Sequence, residues 1–251
     1  MASSPLSTTD PLDLKLGVAP HDVGPRAKPL PLGIRSLDAV LPDAGLPRGG
    51  VVELGSPAGL GRATRLALAA CAAAQSEKDC PWCAWIDSSH TLFAPGVIQA
   101  GVEPERLLVV RPEPVDVARI AVRVTASGVF SVVVIDRSGV PGAGLANTRA
   151  RWHIVVRRLA LAAEASQTTV LLLSSTAVAR KEALPTAMRL ELSRPSHDRL
   201  SLRITKDRRG RLSGPIAVDV ADLIGSGGTA AGARQDRDGS ELAPPALHAL
   251  P

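Results

Sequence analysis

Val51-Val52-Glu53-Leu54-Gly55-Ser56-Pro57-Ala58-Gly59-Leu60-Gly61-Arg62-Ala63-Thr64 sets a short apolar strand, a glycine-rich turn and the start of an alanine-rich helix in succession. That order builds an anion cradle, because backbone N–H groups of the turn and the helix N-terminus all point at a bound phosphate. The working form is G-x-x-x-x-G-K-[ST], in which the lysine reaches the β- and γ-phosphates and the hydroxyl ligates Mg²⁺. Fitted on Gly61, the lysine position is Arg62 and the hydroxyl position is Ala63. The leading glycine falls on Ser56, with Gly55 one place early. Arginine's planar fork does not replace a compact ammonium, and a methyl group cannot ligate a metal. Thr64 offers the next hydroxyl, but one residue further along a helix is turned by about 100°. Taken alone, the segment fits a glycine-rich turn with no nucleotide role as well as a degenerate phosphate loop.

Two other groups of residues could do chemistry. Arg203, Lys206, Arg208, Arg209 and Arg211 crowd one hairpin, with Asp207-Arg208-Arg209-Gly210 as its turn. Such a tip suits either contact with a phosphate backbone, without base readout, or plain solvation. A second run, Arg149, Arg151, Arg157 and Arg158, lies on a long helical stretch and reads as an exposed face. The cysteines are Cys71, Cys80 and Cys83. Their odd number opposes a disulfide framework. Cys80-Pro81-Trp82-Cys83 leads into a strand instead of opening a helix, where a redox pair wants its first cysteine. No metal site is expected.

The elements that must position these groups alternate. Strands are expected at Val51–Leu54, Cys83–Ile86, Leu107–Val110, Val129–Ile135 and Thr169–Leu173. Helices are expected at Arg62–Gln75, Phe93–Ala100 (closed by Gly101), Val115–Ala126 and Thr148–Ala165. The pattern then turns to alternation at Met188, Leu190 and Leu192, at Leu200, Leu202 and Ile204, and at Ile216, Val218 and Val220. Strand–helix repeats followed by hairpins describe an α/β domain: a doubly wound, mainly parallel sheet with antiparallel edge strands at its C-terminal end.

Composition supports that core. Aromatic residues are 2% and Tyr is absent, so Ala, Leu, Val and Ile must fill the interior. The net charge of +5 is compatible with nucleic acid or an acidic partner. Residues 1–28 are rich in Pro, Ser and Asp and read as a flexible leader; 225–251 read as a small-residue tail; 29–224 are the folded core. No apolar run reaches the ~20 residues of a membrane span, and the first residues lack a signal-peptide core. A cytoplasmic protein is expected.

The segment from Leu32 to Pro95 resembles bacterial RecA. Leu32-Gly33-Ile34-Arg35-Ser36-Leu37-Asp38 and Gly45-Leu46-Pro47-Arg48-Gly49 are similar to its lead-in to the phosphate loop. Ala84-Trp85-Ile86-Asp87-Ser88-Ser89-His90 resembles the segment that carries its catalytic glutamate. Val132-Val133-Val134-Ile135-Asp136 resembles its Walker B strand. The resemblance implies a RecA-like fold. It places Ser89 at the catalytic glutamate and Ser175 at the sensor glutamine, and of these groups it retains only Asp136. With Arg62 and Ala63, these losses imply no catalytic residue and no ATP hydrolysis. Gly55, Gly59 and Gly61 leave room for weak ATP binding without a requirement for Mg²⁺.

RecA binds DNA through loops after its fourth and fifth core strands. The matching gaps, Arg137–Asn147 and Thr176–Thr186, are short here, and the second carries only Arg180 and Lys181. Pro20, Pro25, Pro29 and Pro31 oppose a polymerising N-terminal helix. The group that keeps a RecA-like core without these parts is the ImuA/SulA-like one. That implies a non-catalytic accessory role in the DNA damage (SOS) response and translesion synthesis. The implied partners are RecA and translesion polymerase components, including a Y-family-like polymerase homologue, with weak nucleic-acid contact and no membrane. The alternatives are a DNA-dependent ATPase or recombinase with a divergent loop, and a cell-division inhibitor.

Overall fold

The computed structural model describes residues 28–57, 62–137, 146–196 and 199–219. The leader and tail expected at 1–28 and 225–251 lie outside them, save Lys28. Eight strands form one sheet: β1 (Gly50–Ser56), β2 (Trp82–Asp87), β3 (Leu107–Val110), β4 (Phe130–Asp136), β5 (Thr169–Ser175), β6 (Met188–Ser193), β7 (Arg199–Asp207) and β8 (Ile216–Asp219). Their order is β3-β2-β4-β5-β1-β6-β7-β8. The first six run parallel, while β7 and β8 join antiparallel.

Among the described residues six α-helices accompany them: α1 (Arg35–Asp38), α2 (Arg62–Gln75), α3 (Ala94–Gln99), α4 (Val117–Ala126), α5 (Ala146–Ser166) and α6 (Thr176–Lys181). Successive strand residues point to opposite faces, and both faces are covered. Val52, Leu54, Trp85, Val132, Val134 and Leu171 pack under α2 and α3. Val51, Ile86, Val133, Ile135 and Leu172 pack under α4 and α5, through Val117, Ala121, Trp152, Val156 and Leu159. This is the doubly wound α/β sheet with antiparallel C-terminal edge strands that the hydrophobic pattern implies. Among the described residues no helix is long and apolar enough to cross a membrane.

The lead-in to β1 belongs to the core. Leu30, Leu32, Ile34, Leu37 and Leu46 are all buried. Leu30 and Leu46 exchange two backbone hydrogen bonds of 2.9 and 2.7 Å. Gly45 is required at this crossing, because a Cβ there would stand 2.6 Å from the carbonyl oxygen of Leu30.

The least anticipated feature is the pairing of β6. It lies parallel to β1, on the side opposite β5. The chain therefore crosses over β1 between Ser175 and Met188, within residues 176–187. That is close to the shortest span a parallel crossover permits. The stretch expected as an open loop holds α6 and an extended return.

Candidate functional site

Parallel pairing gathers the C-terminal ends of four strands along one sheet edge. Ser56 of β1 stands beside Ser175 of β5, Asp136 of β4 beside Leu173 of β5, and Asp87 of β2 beside Asp136. Such an edge is where open α/β sheets bind ligands. Of the residues expected at the site, the strand registers bring Gly55, Ser56, Asp136 and Ser175 to this edge, and Ser89 follows directly after β2; Ala63 and Thr64 lie at the start of α2. Gly59 and Gly61 lie outside the described residues. Arg62 opens α2.

Ala63, Ser89 and Ser175 each have an occupation in the fold. Ala63 is 5% exposed and its methyl belongs to the core. Asp87 is fully buried and closes its own turn. Its carboxylate accepts hydrogen bonds from the backbone N–H groups of Thr91 and Leu92, each at 3.0 Å, and from the Ser89 hydroxyl at 3.2 Å. Ser89 also meets the Thr91 hydroxyl at 3.0 Å, so it is a turn residue here. The Ser175 hydroxyl accepts from the Val178 N–H at 3.3 Å and serves as the N-cap of α6.

Beneath this edge lies a buried charge network that the sequence reading did not single out. Glu53, fully buried on β1, accepts from the Arg189 Nε on β6 at 2.7 Å. Burial pushes the Glu53 carboxyl above its ordinary value, against the pull of Arg189 and the Ser174 hydroxyl. Arg189 also donates to the Glu182 carbonyl at 2.6 Å. The Glu182 side chain takes Arg137 at 3.0 Å, both being buried. The Arg137 guanidinium sits 4.2 Å from the Trp152 ring centroid. Lys206 donates to the Leu184 carbonyl at 2.7 Å. Burial and the Arg189 charge lower the Lys206 pKa, against the pull of Glu53. The crossover 176–187 is therefore tied from both sides. The available signal was a charged residue inside the otherwise apolar Val51–Leu54 strand.

The basic hairpin is less open than its composition implies. Arg211 donates to Asp43 at 2.9 and 3.1 Å and to Asp207 at 2.9 Å; Arg209 reaches Asp43 at 3.1 Å. Burial would raise the Asp207 carboxyl, but its Arg211 hydrogen bonds hold it below its usual value. Lys206 is turned inward, which leaves Arg203 and Arg208 as the exposed members with no carboxylate oxygen within 4.0 Å among the described residues. Cys83 and Cys71 are buried, and the Cys83 thiol faces the Cys71 carbonyl at 3.7 Å. The hydrogen bond with Cys83 and burial push the Cys71 thiol well up.

A parallel sheet of this order, with a glycine-rich sequence between β1 and α2 and an aspartate ending β4, defines a RecA-like α/β core. A sequence model of the RecA N-terminal domain matches residues 18–156, more than half the chain, and the chain belongs to that family. It is 38% identical over 116 residues to Protein RecA of Kineococcus radiotolerans, covering 46% of this chain and 32% of that protein. It is 38% identical over 108 residues to Protein RecA of Cutibacterium acnes, covering 43% and 30%. With Protein RecA of Thermus thermophilus it shares 34% over 152 residues, 59% of this chain and 44% of that one. The aligned parts thus span less than half the length of these relatives.

Proposed function

We propose that this chain is a non-hydrolysing RecA-like accessory protein of the DNA damage response, of the ImuA/SulA-like kind, acting through protein contacts in translesion synthesis. One observation carries the reading: the residues at the hydrolytic positions are engaged in holding the fold. Ala63 fills the core, Ser89 closes the Asp87 turn and Ser175 caps α6. None can act as a general base or ligate Mg²⁺ in those roles. The short, tied crossover 176–187 supports the same reading, since a taut connection leaves little slack for a loop that reorganises on DNA. The deciding experiment is steady-state ATP hydrolysis by the full chain, with Asp136→Ala as control. Turnover that disappears in the control would favour a divergent ATPase instead.

Nucleotide binding follows a different expectation. The sequence from the end of β1 to α2 keeps Gly55, Gly59 and Gly61, and Arg62 adds charge at the start of α2. Weak binding of ATP or phosphate is expected, unchanged by chelation of Mg²⁺, because no hydroxyl stands at position 63. Calorimetry with and without Mg²⁺ checks it, and tight Mg²⁺-dependent binding would refute it.

For partners, RecA or a translesion polymerase component is expected to be retained by the tagged chain from DNA-damaged cells. A chain ending at Gly225 is expected to retain less, because Leu247 and Leu250 in the removed segment are small apolar anchors. If neither form retains any of these proteins, while overexpression arrests division, the division-inhibitor alternative takes over. Nucleic-acid contact is expected to be weak, since Asp43 and Asp207 offset two of the hairpin's arginines.

A further inference from the structure

The outer face of α5 carries large apolar side chains that the core does not use. Its inner face, Trp152, Val156, Leu159 and Ala163, is buried against the sheet. Ile154 and Leu161 point the opposite way and are 56% and 69% exposed. Seven residues apart, they stand on one line about 10 Å from end to end. At about 100° per residue, Arg151 and Arg158 fall on one flank of that line and Arg157 on the other. All three are exposed, and none makes an ion pair among the described residues. Arg123 of the neighbouring α4 is a further exposed arginine on the same layer. Glu164 is the exposed acid on this face of α5.

An apolar ridge with basic flanks selects its occupant. A nucleic-acid backbone would press Ile154 and Leu161 against phosphates and desolvate them without apolar gain. A second copy across a twofold axis would bring Ile154 against Leu161, but Arg157 and Arg158 against their own counterparts. An amphipathic helix with leucine-like anchors at i, i+3 or i+4 and i+7, flanked by Asp and Glu, satisfies both the apolar line and the charges.

We infer that the exposed face of α5 is a docking site for an acidic amphipathic helix of a partner protein. This rests on the reading that the chain works through protein contacts, and it names the surface and the chemistry of that contact. The test uses the full chain and a fluorescein-labelled peptide with leucines at helical spacing and glutamates elsewhere, followed by anisotropy. Binding is expected, weakened about tenfold or more by Ile154→Ser with Leu161→Ser, and likewise by Arg151→Glu with Arg158→Glu, where tenfold is 1.4 kcal/mol. A peptide with lysines in place of the glutamates is expected to bind the arginine-to-glutamate variant better than the wild type. That swap separates docking from a folding defect, as does an unchanged thermal midpoint for these exposed substitutions. Three results overturn the inference: acidic-peptide binding insensitive to both double variants, displacement of the peptide by a short DNA duplex, or a smaller sedimenting species on Leu161→Ser. If the peptide does not bind α5 while the chain still lacks ATP turnover and retains a polymerase component, the docking face falls and the accessory reading stands.

Discussion

Replacing Glu182 by alanine is expected to destabilise the domain by about 3–5 kcal/mol, because it removes the buried carboxylate paired with the Arg137 guanidinium that lies over Trp152. For a domain of this size that lowers the thermal midpoint by roughly 10 °C. The comparison is Arg180→Ala, which removes an ion pair to Glu191 whose arginine is 67% exposed. Solvent screening and side-chain entropy keep that loss below about 1 kcal/mol. Exchanging Arg137 and Glu182 together for Met and Leu is expected to recover most of the stability, since no buried charge then lacks its partner. Urea denaturation of the three variants beside the wild type measures all of this. Equal small losses for Glu182→Ala and Arg180→Ala would show that the pair is not desolvated and that the crossover opens readily to water.

That network also marks where the sequence stopped being readable. Local signals were sufficient for α2, whose Ala and Leu run predicts Arg62–Gln75, and for β3, whose four apolar residues predict Leu107–Val110. Alternation at Met188–Leu192, Leu200–Ile204 and Ile216–Val220 implied strands with one buried face; as far as Asp219 they are antiparallel in sequence order, and Val220 lies outside the described residues. The same alternation says nothing about which strand β6 meets on its other side. Its parallel partner β1 lies more than a hundred residues upstream, and only the long-range register turns residues 176–187 into a crossover with a helix in it. Helix α4 begins at Val117, not Val115, because Val115 is 86% exposed and has no core to face.

The sequence proposes which residues stand at the candidate site but not what they hold. The loop motif assigns Ala63, and the resemblance to RecA assigns Ser89, Ser175 and Asp136, to the hydrolytic positions of a RecA-like edge. The Asp87 carboxylate binding three groups of its own turn is a geometric fact that residue types do not announce. The Asp43 contacts, which link residues 166 and 168 apart, are equally invisible to any local pattern. Sequence therefore overstates the openness of the basic hairpin.

Restoring the phosphate loop is expected to change binding without creating an ATPase. In the double variant Arg62→Lys with Ala63→Thr, a hydroxyl and a compact ammonium return to the cradle, and nucleotide affinity becomes Mg²⁺-dependent. Position 63 is packed in the core, so the larger side chain costs about 1–3 kcal/mol, and a thermal melt must accompany the assay. Turnover is expected to stay at background. The general base at position 89 is still absent, which forfeits about 10²–10⁴ in rate. The sensor amide at 175 is still a serine, and a lost charge-stabilising donor forfeits about 10²–10³ more. Adding Ser175→Gln works against the fold, because it removes the α6 cap at a cost of about 1 kcal/mol. Single-turnover and steady-state hydrolysis with labelled ATP measure the series. If the loop double variant alone turns over ATP, and Asp136→Ala abolishes it, a water-activating group other than Ser89 operates at this edge. The chain would then be an ATPase held silent by two residues, not a scaffold whose catalytic positions have been taken over by the fold.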